Sequence, residues 1–167
     1  MKHTLAACVA AATAGFTLLA AGGAANAAPD PTQRKINNVL AAHPGGVQTG
    51  KNTVAWEKGA VVLRLSTSAA AAAPCEDGRF CLYEHDHFGG DSLSFRDRLC
   101  DNRIINLTGF AFNDRVSSWA NNTDHDIDVW QDIGGVGARL WQMLPYTESA
   151  GLSKSINDEA SSLNCLR

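Results

Sequence analysis

Positive charge is scarce in this chain. Its 14 Lys and Arg are outnumbered by 17 Asp and Glu, for a formal net charge of −3 at pH 7. That balance excludes a general electrostatic footprint for nucleic acid and does not suit an anionic membrane surface. Catalytic signatures are missing too. There is no Gly-x-Ser-x-Gly, no His-Glu-x-x-His and no phosphate-cradling glycine loop, so serine-hydrolase, zinc-protease and nucleotide-binding readings have no motif to stand on. Carboxylate pairs can be drawn in any chain this rich in aspartate, and nothing marks out a glycosidase pair. The cysteines lack the two C-x-x-C pairs, or nearby histidines at matching spacing, that a structural zinc site needs. The chain reads as a non-enzyme.

What is present begins at the N-terminus. Lys2 and His3 precede an apolar run from Leu5 to Ala21, and Ala25-Asn26-Ala27 offers small residues around a cleavage point. Residues 1–27 therefore read as a secretory signal peptide, which makes the product extracellular and free of a membrane span once processed. Cys8 leaves with it. Cys75, Cys81, Cys100 and Cys165 remain, and four cysteines in an exported chain read as two disulfides with three possible pairings. Asp77-Gly78 between the first two is a tight-turn signal, which favours Cys75–Cys81 and leaves Cys100–Cys165.

The mature chain divides in two. Residues 28–65 form a leader. Pro31-Thr32 opens a helix to about Ala42, with Ile36, Val39, Leu40 and His43 on one face and Pro44-Gly45-Gly46 as its stop. Residues 53–56 and 60–65 then read as a hairpin around Glu57-Lys58-Gly59. A segment this short cannot make a solid core alone, so it either packs on the main domain or is a pro-segment. Residues 66–74, Ser-Thr-Ser, five alanines and Pro74, read as a linker or processing site. Residues 75–167 carry short strand signals at 80–84, 92–95, 104–107, 116–121, 127–131, 138–143 and 160–165, separated by glycine-rich turns. That pattern predicts an all-β sandwich.

Two features of this domain repeat. Asn113-Asp114-Arg115-Val116-Ser117-Ser118 returns as Asn157-Asp158-Glu159-Ala160-Ser161-Ser162. Tyr83, Phe88 and Gly90 form a Tyr-x4-Phe-x-Gly phrase, and Trp130, Gly135 and Gly137 occupy the matching places downstream. The two spacings agree closely enough to predict two copies of one unit, about 79–121 and 127–167.

The aromatic-glycine phrase followed by Asn-Asp-x-x-Ser-Ser resembles the βγ-crystallin Greek key. The whole pattern of signal, "VLAAHPGG…VAWEKGAVVLRL" leader and "CEDGRFCLYEHDHFGGDSLSF" resembles small secreted proteins of peptidase-inhibitor family thirty-six, whose founding member is a metalloproteinase inhibitor. The resemblance implies a double Greek-key sandwich, an extracellular protease as partner and Ca²⁺ held by crossed loops. The implied ligands are the side chains of Asp114, Ser117, Asp158 and Ser161, with backbone carbonyls of Arg115 and Glu159 and one carbonyl from each hairpin, near Glu84–His85 and Gln131–Asp132. Asn113 and Asn157 would brace the loops, and Ser118 and Ser162 would tie each hairpin to the sheet. The oxygen chemistry of these residues suits Ca²⁺, although Asn, Asp and Ser also build turns without an ion. Arg115 is expected to weaken its site by charge, and Gly135 to weaken the second hairpin, so the two affinities should differ.

Other groupings read as structural. His85-Asp86-His87 falls in a turn, Asp124–Asp128 reads as a link between repeats, and Trp119, Trp130 and Trp141 read as core or half-core strand residues rather than a carbohydrate platform. As an inhibitor the domain would offer loop 96–111 or loop 144–156 to a protease. The inhibitory loop itself is not identified by the sequence. A monomer is expected.

Overall fold

The computed structural model describes residues 30–67 and 73–166. The expected signal peptide, 1–27, lies outside them, as does most of the alanine-rich link.

The leader opens with helix α1 (Pro31–Ala42). The Asp30 side chain accepts the Gln33 N–H at 3.0 Å, and Pro31 takes the first turn, where no N–H is needed. Ile36 is wholly buried, with Val39 and Leu40 packed beside it. The chain turns at Gly45, whose φ of 85° suits glycine. Gly46 passes so close to Trp56 that a Cβ there would meet the indole at 2.9 Å. Three strands follow: β1 (Val47–Gly50), β2 (Thr53–Trp56) and β3 (Val61–Arg64). The sequence predicts only the β2–β3 hairpin. Strand β1 escapes notice because Val47, its one large apolar residue, faces solvent, so no alternation marks it.

The main domain contributes β4 (Arg79–His85), β5 (Gly89–Arg96), β6 (Ile104–Asn106), β7 (Ser118–Asn121), β8 (Asp126–Asp132), β9 (Val136–Met143), β10 (Thr147–Ser149) and β11 (Ser162–Leu166). One sheet runs β1-β2-β3-β5-β4-β7-β10 and the other β6-β11-β8-β9. Each copy starts with a hairpin and its fourth strand returns beside its first: β7 pairs β4, and β11 pairs β8. The third strands change sheets. Strand β6 of copy one pairs β11 of copy two, and β10 of copy two pairs β7 of copy one. This is a double Greek key of βγ-crystallin type, in which neither copy has a complete sheet of its own.

Strand β10 lies inside the segment expected to be a loop, 144–156. Thr147-Glu148-Ser149 has no apolar residue to announce a strand; the open edge of β7 makes it one.

The leader joins the first sheet directly. Strand β3 pairs antiparallel with β5 from Val61↔Phe95 to Arg64↔Ser92. Its buried residues merge with those of the main domain into one cluster that includes Ile36, Val54, Leu63, Phe80, Phe95, Val129 and Leu163. Trp56 meets Phe110 edge-on at 5.4 Å, and Phe95 stacks on Phe80 at 4.9 Å. At the rim, Arg103 forks onto both carboxylate oxygens of Glu57 at 2.8 and 3.0 Å. The leader thus packs on the main domain and shares its sheet and core. Disulfides join Cys75 to Cys81 and Cys100 to Cys165, the second tying the segment after β5 to the last strand.

Candidate functional site

The two Asn-Asp-x-x-Ser-Ser loops meet at one end of the sandwich and bond to each other crosswise. The Asp114 N–H donates to the Ala160 carbonyl at 3.0 Å, and the Asp158 N–H to the Val116 carbonyl at 3.1 Å. Both aspartates take left-handed backbone conformations, φ 53° and 57°, which Asp tolerates better than most residues. The next contacts also come in pairs. Ser117 and Ser161 donate their N–H groups to the carbonyls of Tyr83 and Trp130, at 2.9 and 3.0 Å, and accept at their own carbonyls from Leu152 and Leu107. Asn113 and Asn157 donate Nδ2 to the neighbouring carboxylates of Asp114 and Asp158 at 2.6 and 2.7 Å.

Ser118 and Ser162 are wholly buried. Ser118 Oγ donates to the His85 carbonyl at 2.6 Å and accepts the Phe88 N–H at 3.1 Å. Ser162 Oγ donates to the Asp132 carbonyl at 2.6 Å and accepts the Gly135 N–H at 3.0 Å. One hydroxyl thus satisfies two backbone groups of each folded-over hairpin.

The hairpins share a backbone and differ in side chains. Copy one has positive φ at His87, Phe88 and Gly90; copy two has it at Gly134, Gly135 and Gly137. Phe88 reaches back to Tyr83 edge-on at 5.4 Å. In copy two, Ile104 of β6 occupies that space, 2.7 Å from where a Cβ on Gly135 would lie. Gly135 therefore does not leave a poorer hairpin, because another strand fills the gap.

Arg115 also corrects the sequence reading. Its guanidinium turns away from the loop crossing. Nη2 donates to Glu84 Oε1 at 2.7 Å and Asp91 Oδ2 at 2.8 Å, Nη1 donates to the Ala111 carbonyl at 2.6 Å, and the group lies over the Phe112 ring. Burial alone would raise the Glu84 pKa, but the Arg115 hydrogen bond and the Asp91 N–H outweigh it and hold the carboxyl below its usual value. Arg115 is held above its usual value by the same two carboxylates, against its own burial. Asp91 Oδ1 in turn accepts the Ser66 N–H at 2.8 Å. Glu159, at the same place in copy two, stands beside Gln131, 3.5 Å from its Nε2.

The loop crossing offers two half-sites. Around Ser161, its hydroxyl donates to Asp114 Oδ1 at 3.3 Å, bringing oxygens of both copies together next to the second hairpin. Around Ser117, an open hollow of about 560 Å³ is lined by His85, Asp86, Ser117, Leu152, Lys154 and Asn157. Among the described residues no three His, Cys, Asp or Glu side chains gather tightly enough to hold a metal alone. An ion here would depend on hydroxyl, amide and backbone oxygens as well as single carboxylates. Ca²⁺ accepts such mixtures, and the Asp114–Ser161 half fits it. Lys154 lines the hollow of the other half together with Ser117 and Asn157. Sequence spacing does not single it out, because it sits outside both hexapeptides.

The remaining groupings stay structural. His85 and His87 are exposed around the first hairpin turn, and Trp119 is buried, with Trp130 and Trp141 half-buried. Among the described residues no flat, exposed tryptophan platform forms. Tyr83, the corner of copy one, is buried to about 1% exposure, and burial with the nearby Glu148 charge pushes its phenol up to about 12.

Residues 68–143 match peptidase inhibitor family I36. Among solved structures, the chain is similar to one described under the evolution of the eye-lens beta-gamma-crystallin domain fold, at 21% identity over 63% of this chain and 95% of that one, with a TM-score of 0.49. It is also similar to a betagamma-crystallin domain from Clostridium beijerinckii, at 20% identity over 52% of this chain and 95% of that one, TM-score 0.43. A beta gamma crystallin from Ciona intestinalis matches at 25% identity over 53% of this chain and 99% of that one, TM-score 0.42. No curated protein matches the chain. The fold assignment stands on the strand order itself, and the family match points to a protein that is not an enzyme. The strand order is that of a βγ-crystallin-type double Greek key, and residues 68–143 are similar to peptidase inhibitor family I36.

Proposed function

We propose that the protein is a secreted inhibitor of an extracellular metalloproteinase, with Ca²⁺ bracing the end of the sandwich where the hexapeptides cross. The observation that carries this reading is the family match over 68–143, laid on a frame closed by two disulfides. Two disulfides in a chain of this size suit an oxidising, extracellular setting. A frame of this kind suits inhibition because a preordered segment loses little freedom on entering a protease cleft.

The two candidate loops differ in what they present. The 96–111 segment is pinned through Cys100 and buries Leu99, Ile105 and Leu107, leaving Ile104 partly exposed. The 144–156 segment exposes Leu144 by 50% and Tyr146 by 72%, with Tyr146 at φ 54° in the turn before β10. That turn is the better shaped to enter an apolar protease subsite. Titration against thermolysin-type and serine proteases checks the reading. Stoichiometric inhibition of the first class is expected, weakened at least tenfold by Tyr146→Ala. No inhibition of either class at micromolar protein sinks it.

Ca²⁺ would be held by Asp114, Ser161 and neighbouring backbone oxygens. It would stabilise the fold by binding only the folded state. The check is a melt with and without Ca²⁺ after chelation, in which an unchanged midpoint removes the ion from the account.

A further inference from the structure

We propose that the two crossed half-sites have diverged: the Asp114–Ser161 half takes a divalent cation, and the Ser117–Asp158 half does not, because Lys154 supplies the positive charge there. This rests on the Ca²⁺ reading above.

Three observations carry it. First, the side chains of the two halves are arranged differently although their backbones match. Ser161 Oγ bonds to Asp114 Oδ1 across the copies. Among the described residues no equivalent bond joins Ser117 Oγ to Asp158, although both aspartates alike take the amide of the preceding asparagine.

Second, the segment bearing Lys154 is anchored over the first hairpin. The His87 N–H donates to the Ala150 carbonyl at 2.7 Å, the Leu152 N–H to the Ser117 carbonyl at 3.0 Å, and the N–H groups of Ile156 and Asn157 both reach the Ser153 carbonyl at 3.0 Å. Lys154 is therefore held at the hollow by its backbone and lines it together with Ser117, Asn157, His85 and Asp86. Hydroxyl, amide and carboxylate oxygens that would surround an ion serve an ammonium with three donors equally well. A second cation placed there would be repelled.

Third, the matching position of copy one holds no charge. Forty-four residues before Lys154, the hexapeptide spacing, stands Phe110, which packs on Phe95 and Trp56 inside the molecule. The nearest cation of copy one, Arg115, is committed to Glu84 and Asp91. The Asp114–Ser161 half has instead Glu159 beside its hairpin.

Calorimetry with Ca²⁺ on the chelator-treated full chain tests this. Wild type should bind one ion, Asp114→Ala should lose that binding at least tenfold, and Asp158→Ala should keep it within about twofold. Lys154→Glu, at an exposed position that does not threaten folding, should bind two. Circular dichroism melts of each variant without Ca²⁺ verify that the fold is intact. Two ions in wild type, loss through Asp158→Ala alone, or one ion still in Lys154→Glu overturns the divergence while leaving Ca²⁺ binding in place. No binding by wild type sinks the Ca²⁺ reading and this inference with it.

Discussion

Copy one and copy two bend their hairpins through the same three positive-φ positions, yet one does so with His87, Phe88 and Gly90 and the other with three glycines. The aromatic is therefore not what shapes the hairpin. The shape follows from the buried serine that each hairpin wraps, Ser118 or Ser162, and from the glycine both share at the third position. A Cβ at Gly90 would meet Glu84 Cβ at 2.9 Å, and one at Gly137 would run into the Asp132 carboxylate. The aromatic fills a space, and in copy two Ile104 fills it from a strand of the other copy.

The sharpest way to break this comparison is Gly135→Phe, which restores the aromatic phrase in copy two. It should destabilise the protein by about 3 kcal/mol, since the ring must displace Ile104 and the backbone stays left-handed. A chemical denaturation curve reads this. A neutral or stabilising result would mean that Ile104 yields freely.

Ser118→Ala and Ser162→Ala each remove two bonds from a buried hydroxyl and should cost about 2 kcal/mol apiece. Equal costs in the same experiment would support a common clamp; a difference above about 1 kcal/mol would show that one hairpin is held by its side chains instead.

At the third hexapeptide position the copies should separate. Arg115→Ala leaves the nearly buried Asp91 and Glu84 as an uncompensated pair and should cost about 1.5 kcal/mol. Glu159→Ala, at an exposed site, should stay within about 0.5 kcal/mol.

The smallest effect is in pH. Glu84 has its pKa lowered in the folded state, so its contribution is present above the unfolded carboxylate value and is lost as pH falls through the folded one. Copy two has Gln131 there and cannot titrate. Glu84→Gln should therefore flatten part of the acid limb of a melting-temperature profile, with Tyr83 unaffected. Tyr83, raised to about 12 from 10.0, acts at the other end: its contribution is full below pH 10 and is lost as pH rises towards 12.

Much of the domain was legible because it is written twice. Seven of the main strands show alternation or apolar runs, and the paired hexapeptides announce the repeat in the sequence itself. Strands β1 and β10 were not legible, since an exposed edge strand needs no apolar face and borrows its structure from a neighbour's unpaired backbone. In the candidate site, the clamp serines and the loop aspartates stand in recognisable positions. Lys154 does not, because its relevance lies in what the 150–157 segment is folded against, not in its spacing. Arg115 was visible, but its direction was not, since Glu84 and Asp91 come from 31 and 24 residues away.

The sequence by itself determined the leader helix, the two-copy plan and the residue types at the loop crossing, and it favoured the Cys75–Cys81 pairing across a tight turn. Each follows from local stereochemistry, from turn residues or from repetition, which act within a few positions of the chain. Only the tertiary structure decided that β3 continues the sheet beyond β5, that β6 and β10 change sheets, that Ile104 stands where an aromatic at 135 would begin, and that Lys154 lines the hollow beside Ser117. Those outcomes depend on which unpaired strand edge or unfilled space lies nearest once the two copies have packed, a long-range competition that no local pattern records.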